Sequence, residues 1–127
     1  LMPSGVSWSL NEEKSFVQFL LGHKSEAGYG GTFKGSTYQK GVKHISHLCE
    51  RGPPKDSKSL QNKWNALKKT YRVVLAIQAA SGWVWDNEKG ADINIYSALS
   101  WDDYVKKHPA AKPFRNRGWV HLENMAL

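Results

Sequence analysis

A chain of 127 residues has room for one hydrophobic core, and 40% hydrophobic residues with six Trp, five Tyr and four Phe mark it as folded. Eighteen Lys and Arg against eleven Asp and Glu leave a net charge of +7, which favours a polyanion or an acidic surface as partner and says nothing of fold. A single cysteine, Cys49, excludes an internal disulfide and suits a reducing compartment, and no apolar run nears the roughly 18 residues that a membrane span needs.

The opening "LMPSGVS" lacks the basic and apolar regions of a signal peptide, so residues 1–7 read as a tail outside the fold, disordered or cloning-derived. The first helix is expected after Trp8. Ser9 and Glu12 have the spacing of a capping box, and Phe16, Phe19 and Leu20 recur as a buried stripe until Gly22. "EAGYGGTFKG" is then a glycine-rich connection. No strand precedes it and the phosphate-loop spacing is absent, so it carries no nucleotide site. The second helix is expected from Thr37 as cap to about Glu50, with Tyr38, Val42, Ile45 and Leu48 on its apolar face.

"RGPPKDSKS" forces a turn, because two prolines cannot sit inside a helix. Asp56 or Ser57 is the expected cap of a long third helix that ends at Ser81-Gly82. Leu60, Trp64, Leu67, Tyr71, Val74 and Gln78 lie along one face of it, with Leu75 beside them. Beyond Arg72, "VVLAIQAA" is apolar nearly all round, which predicts that other elements cover it. The expected cover is the C-terminal third: a segment with Trp83 and Trp85 in which "INIY" passes for a brief strand, then a short helix capped by Ser100 and stopped by Pro109. "HPAAKPFRNRGW" reads as a basic turn, and "WVHLENMAL" as the start of a last helix.

From Ser57 to Trp85 there is no Asp or Glu. A solvated helix face normally mixes both signs, so the third helix is expected to face something negative. Opposite its apolar stripe lie Lys58, Asn62, Asn65 and Lys69, with Gln61 and Arg72 at the edge. Amide side chains donate and accept together, as reading an adenine edge requires, and cations beside them neutralise phosphates. The expected contacts with double-stranded DNA are therefore Gln61, Asn62 and Asn65 on base edges, and Lys55, Lys58, Lys68, Lys69 and Arg72 on phosphates. A second basic group, Lys106, Lys107, Lys112, Arg115 and Arg117, offers backbone contacts or is a solvated turn.

Trp8-Ser9, Asn11-Glu12-Glu13, Phe16 and Phe19-Leu20 resemble the opening of a Myb repeat, and "KDSKSLQNKWNALKK" resembles its third helix. "SGWVWD" followed by "WDDYVKKHPAAKPFRNRGW" is similar to the Myb/SANT-like DNA-binding domain family of plants and fungi, often found in transposon-related proteins. Together these features span about residues 8–122. The resemblance implies an all-α fold: a three-helix helix-turn-helix core over residues 8–82 and a helical extension over 83–127. It also implies a nuclear transcription regulator or transposon-related protein in which Gln61, Asn62 and Asn65 occupy base-reading positions. The middle Myb tryptophan is missing from its usual place, which leaves Phe33 or Tyr38 to fill its role.

Other chemistries find less support. His44, His47 and Cys49 are close in sequence, but Cys49 points away from the histidines and no second cluster completes the four ligands of a structural zinc. Asp102-Asp103 read as helix-dipole partners and Cys49 as apolar filler, and no acid, base and oxyanion donor come together, so no enzyme, cofactor, metal or small-molecule substrate is expected. The tryptophans fall on apolar stripes and read as core, which disfavours a single-strand binder. The alternative role is a SANT-type protein-interaction module. One that docks basic tails would carry acids on the third helix, and this chain has none there.

Overall fold

Ser9 opens the first helix. In the computed structural model, which describes residues 6–125, its hydroxyl accepts the Glu12 amide at 3.1 Å while the Glu12 carboxylate accepts the Ser9 amide at 2.9 Å. This is the reciprocal capping box that the spacing predicts. Helix α1 spans Leu10–Gly22 and buries Phe16, Val17 and Leu20, with Phe19 half-buried. Most of the expected tail, residues 1–5, lies outside the described residues.

Helix α2 spans Gly35–Ile45 and passes into one 3-10 turn, Ser46–Leu48. Thr37 is not its cap. The residue is buried within the first turn, where its hydroxyl donates to Glu26 Oε1 at 2.7 Å, and Lys34 takes the cap position with no side-chain bond. A carboxylate is a stronger acceptor than a backbone group, so the threonine is used to tie down the preceding turn. Helix α3 spans Ser57–Ala79, and the choice of cap falls on Asp56, whose Oδ1 accepts the amide and hydroxyl of Ser59 at 2.8 and 2.9 Å.

Leu60, Trp64, Leu67, Val74 and Ile77 are buried along α3, and Tyr71 is half-buried. The last turn differs from expectation: Ile77 takes the buried place and Gln78 is exposed. Nor is "VVLAIQAA" covered all round, since Leu75, Ala76 and Ala79 are exposed. Val74 and Ile77, one turn apart, are the buried residues there, Val73 packs partly against the same core, and Leu75 and those two alanines face water.

Packing divides the chain into two compact units, Leu1–Ala66 and Leu67–Leu127, with the boundary inside α3. In the first unit, α1, α2 and the start of α3 close on Gly41. A Cβ there would come within 2.9 Å of the Leu60 side-chain tip and 3.2 Å of the Phe19 ring, so a larger residue would make those side chains shift. Trp64 donates its indole N–H to the Gly31 carbonyl at 2.7 Å and meets Phe33 edge-on, and Phe33 meets Tyr38 in the same way. Trp64, Phe33 and Tyr38 thus form one aromatic cluster of the first unit.

The second unit packs Val74, Ile77, Ala91, Ile93, Trp101, Ala111, Phe114 and Leu122 into one core. Helix α4, Ala98–Lys107, starts earlier than expected, with Ser97 at the cap position and Ser100 inside the helix. Asp102 and Asp103 therefore fall in its second turn, away from the helix start where a dipole role would need them. A 3-10 run, Pro109–Phe114, and a short α5, Leu122–Met125, complete the unit. "INIY" forms no strand. Ile93 donates to the Arg115 carbonyl, and Asn94 then turns the chain by accepting the Tyr96 and Ser97 amides. Among the described residues only an isolated bridge, Asp86 to Gly90, has strand-like pairing. Gly90, at φ 64, and Gly118 let that loop lie backbone to backbone on residues 114–118, where side chains would overlap the Phe114, Arg117 and Asn87 carbonyls.

Candidate nucleic-acid interface

The α3 surface divides by the phase that burial of Leu60, Trp64 and Leu67 imposes. Lys58, Gln61, Asn62, Asn65, Lys69 and Arg72 are all exposed, and Lys68 is half-buried at the edge. They fall within about one side of the helix at roughly 100° per residue. The Asp56 carboxylate caps this helix and meets its positive N-terminal end, so the charge of the ridge comes from its own side chains.

Lys55 does not belong with them. It is 6% exposed, and its ammonium lies 2.6 Å from Glu12 Oε2 and 5.1 Å from the centre of the Trp8 ring. Burial by itself would raise the Glu12 pKa. The Lys55 hydrogen bond, the Ser9 amide and hydroxyl and the Lys55 charge together outweigh that, and hold the carboxyl below its ordinary value. Lys55 is thus committed to a buried ion pair and has no free charge for a phosphate. Lys63 is also diverted inward, 3.0 Å from Glu13 Oε2 and 5.4 Å from the centre of the Trp8 ring. Consecutive acids of α1 hold the two lysines beside α3 that do not face outward.

In the second unit, Lys69 and Arg72 line one cavity of about 340 Å³ with Tyr104, His108 and Pro109. His108 is the residue that pattern reading missed. It stands 36 positions after Arg72, and nothing local marks it as a neighbour of α3. Of the second basic group, Lys106 and Lys107 end α4, Lys112 lies in the 3-10 run, and Arg115 and Arg117 follow it. All five are exposed. Arg115 donates to the neighbouring Asn116 at 2.9 Å.

Of the histidines near Cys49, His44 meets Phe19 with the two rings tilted and their centres 5.1 Å apart. Among the described residues no three His, Cys, Asp or Glu side chains gather in a way that would hold a metal, and no helix is long and apolar enough to cross a membrane. Trp64 and Trp101 are buried, while Trp8, Trp83, Trp85 and Trp119 are half-buried.

The family model for the Myb/SANT-like DNA-binding domain matches residues 7–104, from the α1 cap through most of α4. The chain belongs to that family. No curated protein and no solved structure matches it. As a Myb/SANT-like domain it is a DNA-binding module, built on helices alone among the described residues. The match includes every exposed residue of the α3 ridge and stops before the 3-10 run that carries Lys112.

Proposed function

We propose that this Myb/SANT-like domain binds double-stranded DNA by placing α3 in the major groove, as part of a nuclear transcription regulator or transposon-related protein. The observation that carries this reading is the composition of the exposed α3 face: Lys58, Gln61, Asn62, Asn65, Lys69 and Arg72, with no acid among them. Asn62 and Asn65 stand one turn apart near the middle of the ridge, where a rigid amide reaches a base edge. Lys58, Lys68, Lys69 and Arg72 hold phosphates, which set register and strength without reading sequence. Lys106, Lys107, Lys112, Arg115 and Arg117 supply further backbone contacts from the second unit. The domain acts by binding, with no catalytic step, cofactor or small-molecule substrate.

Titration with a random duplex at several salt concentrations tests the proposal. Four phosphates held by α3 give a slope of log K against log salt near −4, by release of about 0.9 counterion per phosphate, and contacts from the second basic group steepen it. An affinity that does not change between low and physiological salt would overturn the reading. Equal or tighter binding to single strands would move the function away from the major groove.

A further inference from the structure

The charge of this protein is unevenly distributed. Residues 83–103 carry five of its eleven acids and one of its eighteen Lys and Arg. All five, Asp86, Glu88, Asp92, Asp102 and Asp103, are exposed. The same segment holds four large apolar side chains in water: Val84 at 85% exposure, Ile95 at 83%, Tyr96 at 90% and Leu99 at 85%. Scattered exposed apolar residues need no explanation, but these four come from one short segment. Ile93 is buried, and Trp83 meets Trp101 and Tyr104 edge-on.

Hydrogen bonds fix the segment with its apolar tips outward. The Asn94 carboxamide accepts the Tyr96 and Ser97 amides at 2.9 and 3.2 Å, and Ser97 Oγ accepts the Asn94 amide at 3.0 Å. Asn116 donates to the Ile93 carbonyl at 3.1 Å, and Ile93 donates to the Arg115 carbonyl, so the base of the turn is tied to the rest of its unit. Val84 and Tyr96 line one shallow cavity with Trp83, Asp92 and Asn94. On α4, Leu99 and Asp103 stand one turn apart on the same face. Ordering these side chains in advance lowers what a partner must supply on binding.

We propose that Val84, Ile95, Tyr96 and Leu99, rimmed by Asp92, Asp102 and Asp103, form a protein-docking surface for a cationic amphipathic segment: apolar anchors flanked by Lys or Arg. Charge complementarity selects this occupant. The acidic rim repels nucleic acid and anionic membranes, and it repels acidic peptides equally, whereas Lys and Arg beside apolar anchors meet both features at once. The surface uses none of the α3 ridge, and its rim acids Asp102 and Asp103 stand one turn before Lys106 and Lys107 on α4. It gives the domain two faces of opposite sign, one for DNA and one for a protein.

Three synthetic 16-residue helical peptides with the same leucine pattern test this against the full chain, with Lys, Glu or Ser at every polar position. Backbone and indole resonances follow binding, and a duplex DNA titration runs in parallel. The Lys peptide is expected to bind at micromolar concentration and to shift residues 83–85 and 95–103. Tyr96→Ser and Leu99→Ser each weaken it at least tenfold, and Asp102→Asn with Asp103→Asn weakens it several-fold and removes its salt dependence. All of these side chains are exposed, so the variants keep the fold, and Tyr96→Ser and Leu99→Ser keep the duplex affinity. Shifts confined to other residues, equal binding of the Ser or Glu peptide, or an unaltered affinity in Tyr96→Ser and Leu99→Ser would overturn the proposal. So would duplex DNA or phosphatidylserine vesicles that shift residues 95–103. Loss of duplex binding in wild type would strike the DNA reading alone.

Discussion

Lys55 and Lys58 stand three residues apart at the entry to α3 and have opposite fates. Lys55 is sealed against Glu12 and Trp8, and Lys58 is open to water. The same division holds one turn on, where Lys63 pairs with Glu13 while Asn62 and Asn65 project outward. One face of this region uses its cations to fasten α1 to the start of α3, and the other keeps them for a partner. A basic stretch is therefore two populations, separated by whether an acid from elsewhere in the chain reaches it.

The most damaging way to break the comparison is to remove what sets the helix phase. Trp64 is buried, bonded to Gly31 and packed on Phe33. Trp64→Ala is expected to cost about 3–5 kcal/mol, a large part of the stability of a small domain. Thermal unfolding followed by circular dichroism measures it. A variant as stable as wild type would mean that the inward and outward faces have been assigned wrongly.

The lysine pair sharpens the contrast. Lys55→Ala leaves a buried carboxylate without its partner and is expected to cost about 3 kcal/mol or more, whereas Lys58→Ala stays within about 0.5 kcal/mol. The order reverses for duplex affinity: Lys58→Ala lowers it, and Lys55→Met paired with Glu12→Gln leaves it unaltered in folded protein. The same pair gives a pH signature. The Glu12 carboxyl is held below its ordinary value of 4.5, so the unfolded chain binds its proton first as pH falls. Stability from this group is complete above about pH 4.5 and is lost as pH drops through the lower folded value. Urea unfolding between pH 6 and 3 should therefore fall more steeply in wild type than in Glu12→Gln. Parallel curves would remove the ion pair from the account.

Periodicity and capping made α1 and most of α3 legible, since Ser9, Glu12, Leu60, Trp64 and Leu67 act through neighbours within a few positions. What could not be read locally depends on distance along the chain. Glu12 claims Lys55 across 43 positions, His108 joins Lys69 and Arg72 from another helix end, and Glu26 takes Thr37 away from the α2 cap. The missing strand at "INIY" has the same cause. Asn94 and Ser97 bond each other's backbone, and local turn chemistry overrides the β-branched residues around them. The apolar tips at Ile95 and Leu99 were hidden for another reason, because hydrophobic residues in a tryptophan-rich segment read as core until the exposure is seen.

The smallest effects lie within the outward face, and they separate reading from holding. Asn62 and Asn65 are exposed one turn apart on a helix whose opposite side is locked by Trp64, so their short amides project outward together. A lost amide–adenine pair costs about 1–3 kcal/mol at one base and nothing elsewhere. Asn62→Ala and Asn65→Ala should each flatten one position of a profile selected from randomised duplexes and leave non-specific affinity in place. Lys69 lies further along the same face and beside Arg72 and His108, a setting suited to a phosphate and not to a base. Lys69→Ala should weaken every sequence alike and make the salt slope shallower by about one. All three side chains are exposed, so unfolding will not confuse the result. Should both asparagine variants keep the wild-type preference while Lys69→Ala still weakens binding, α3 would hold DNA without reading it. Base contact would then pass to Arg115 and Arg117, whose exposed guanidinium groups are shaped to pair with a guanine edge.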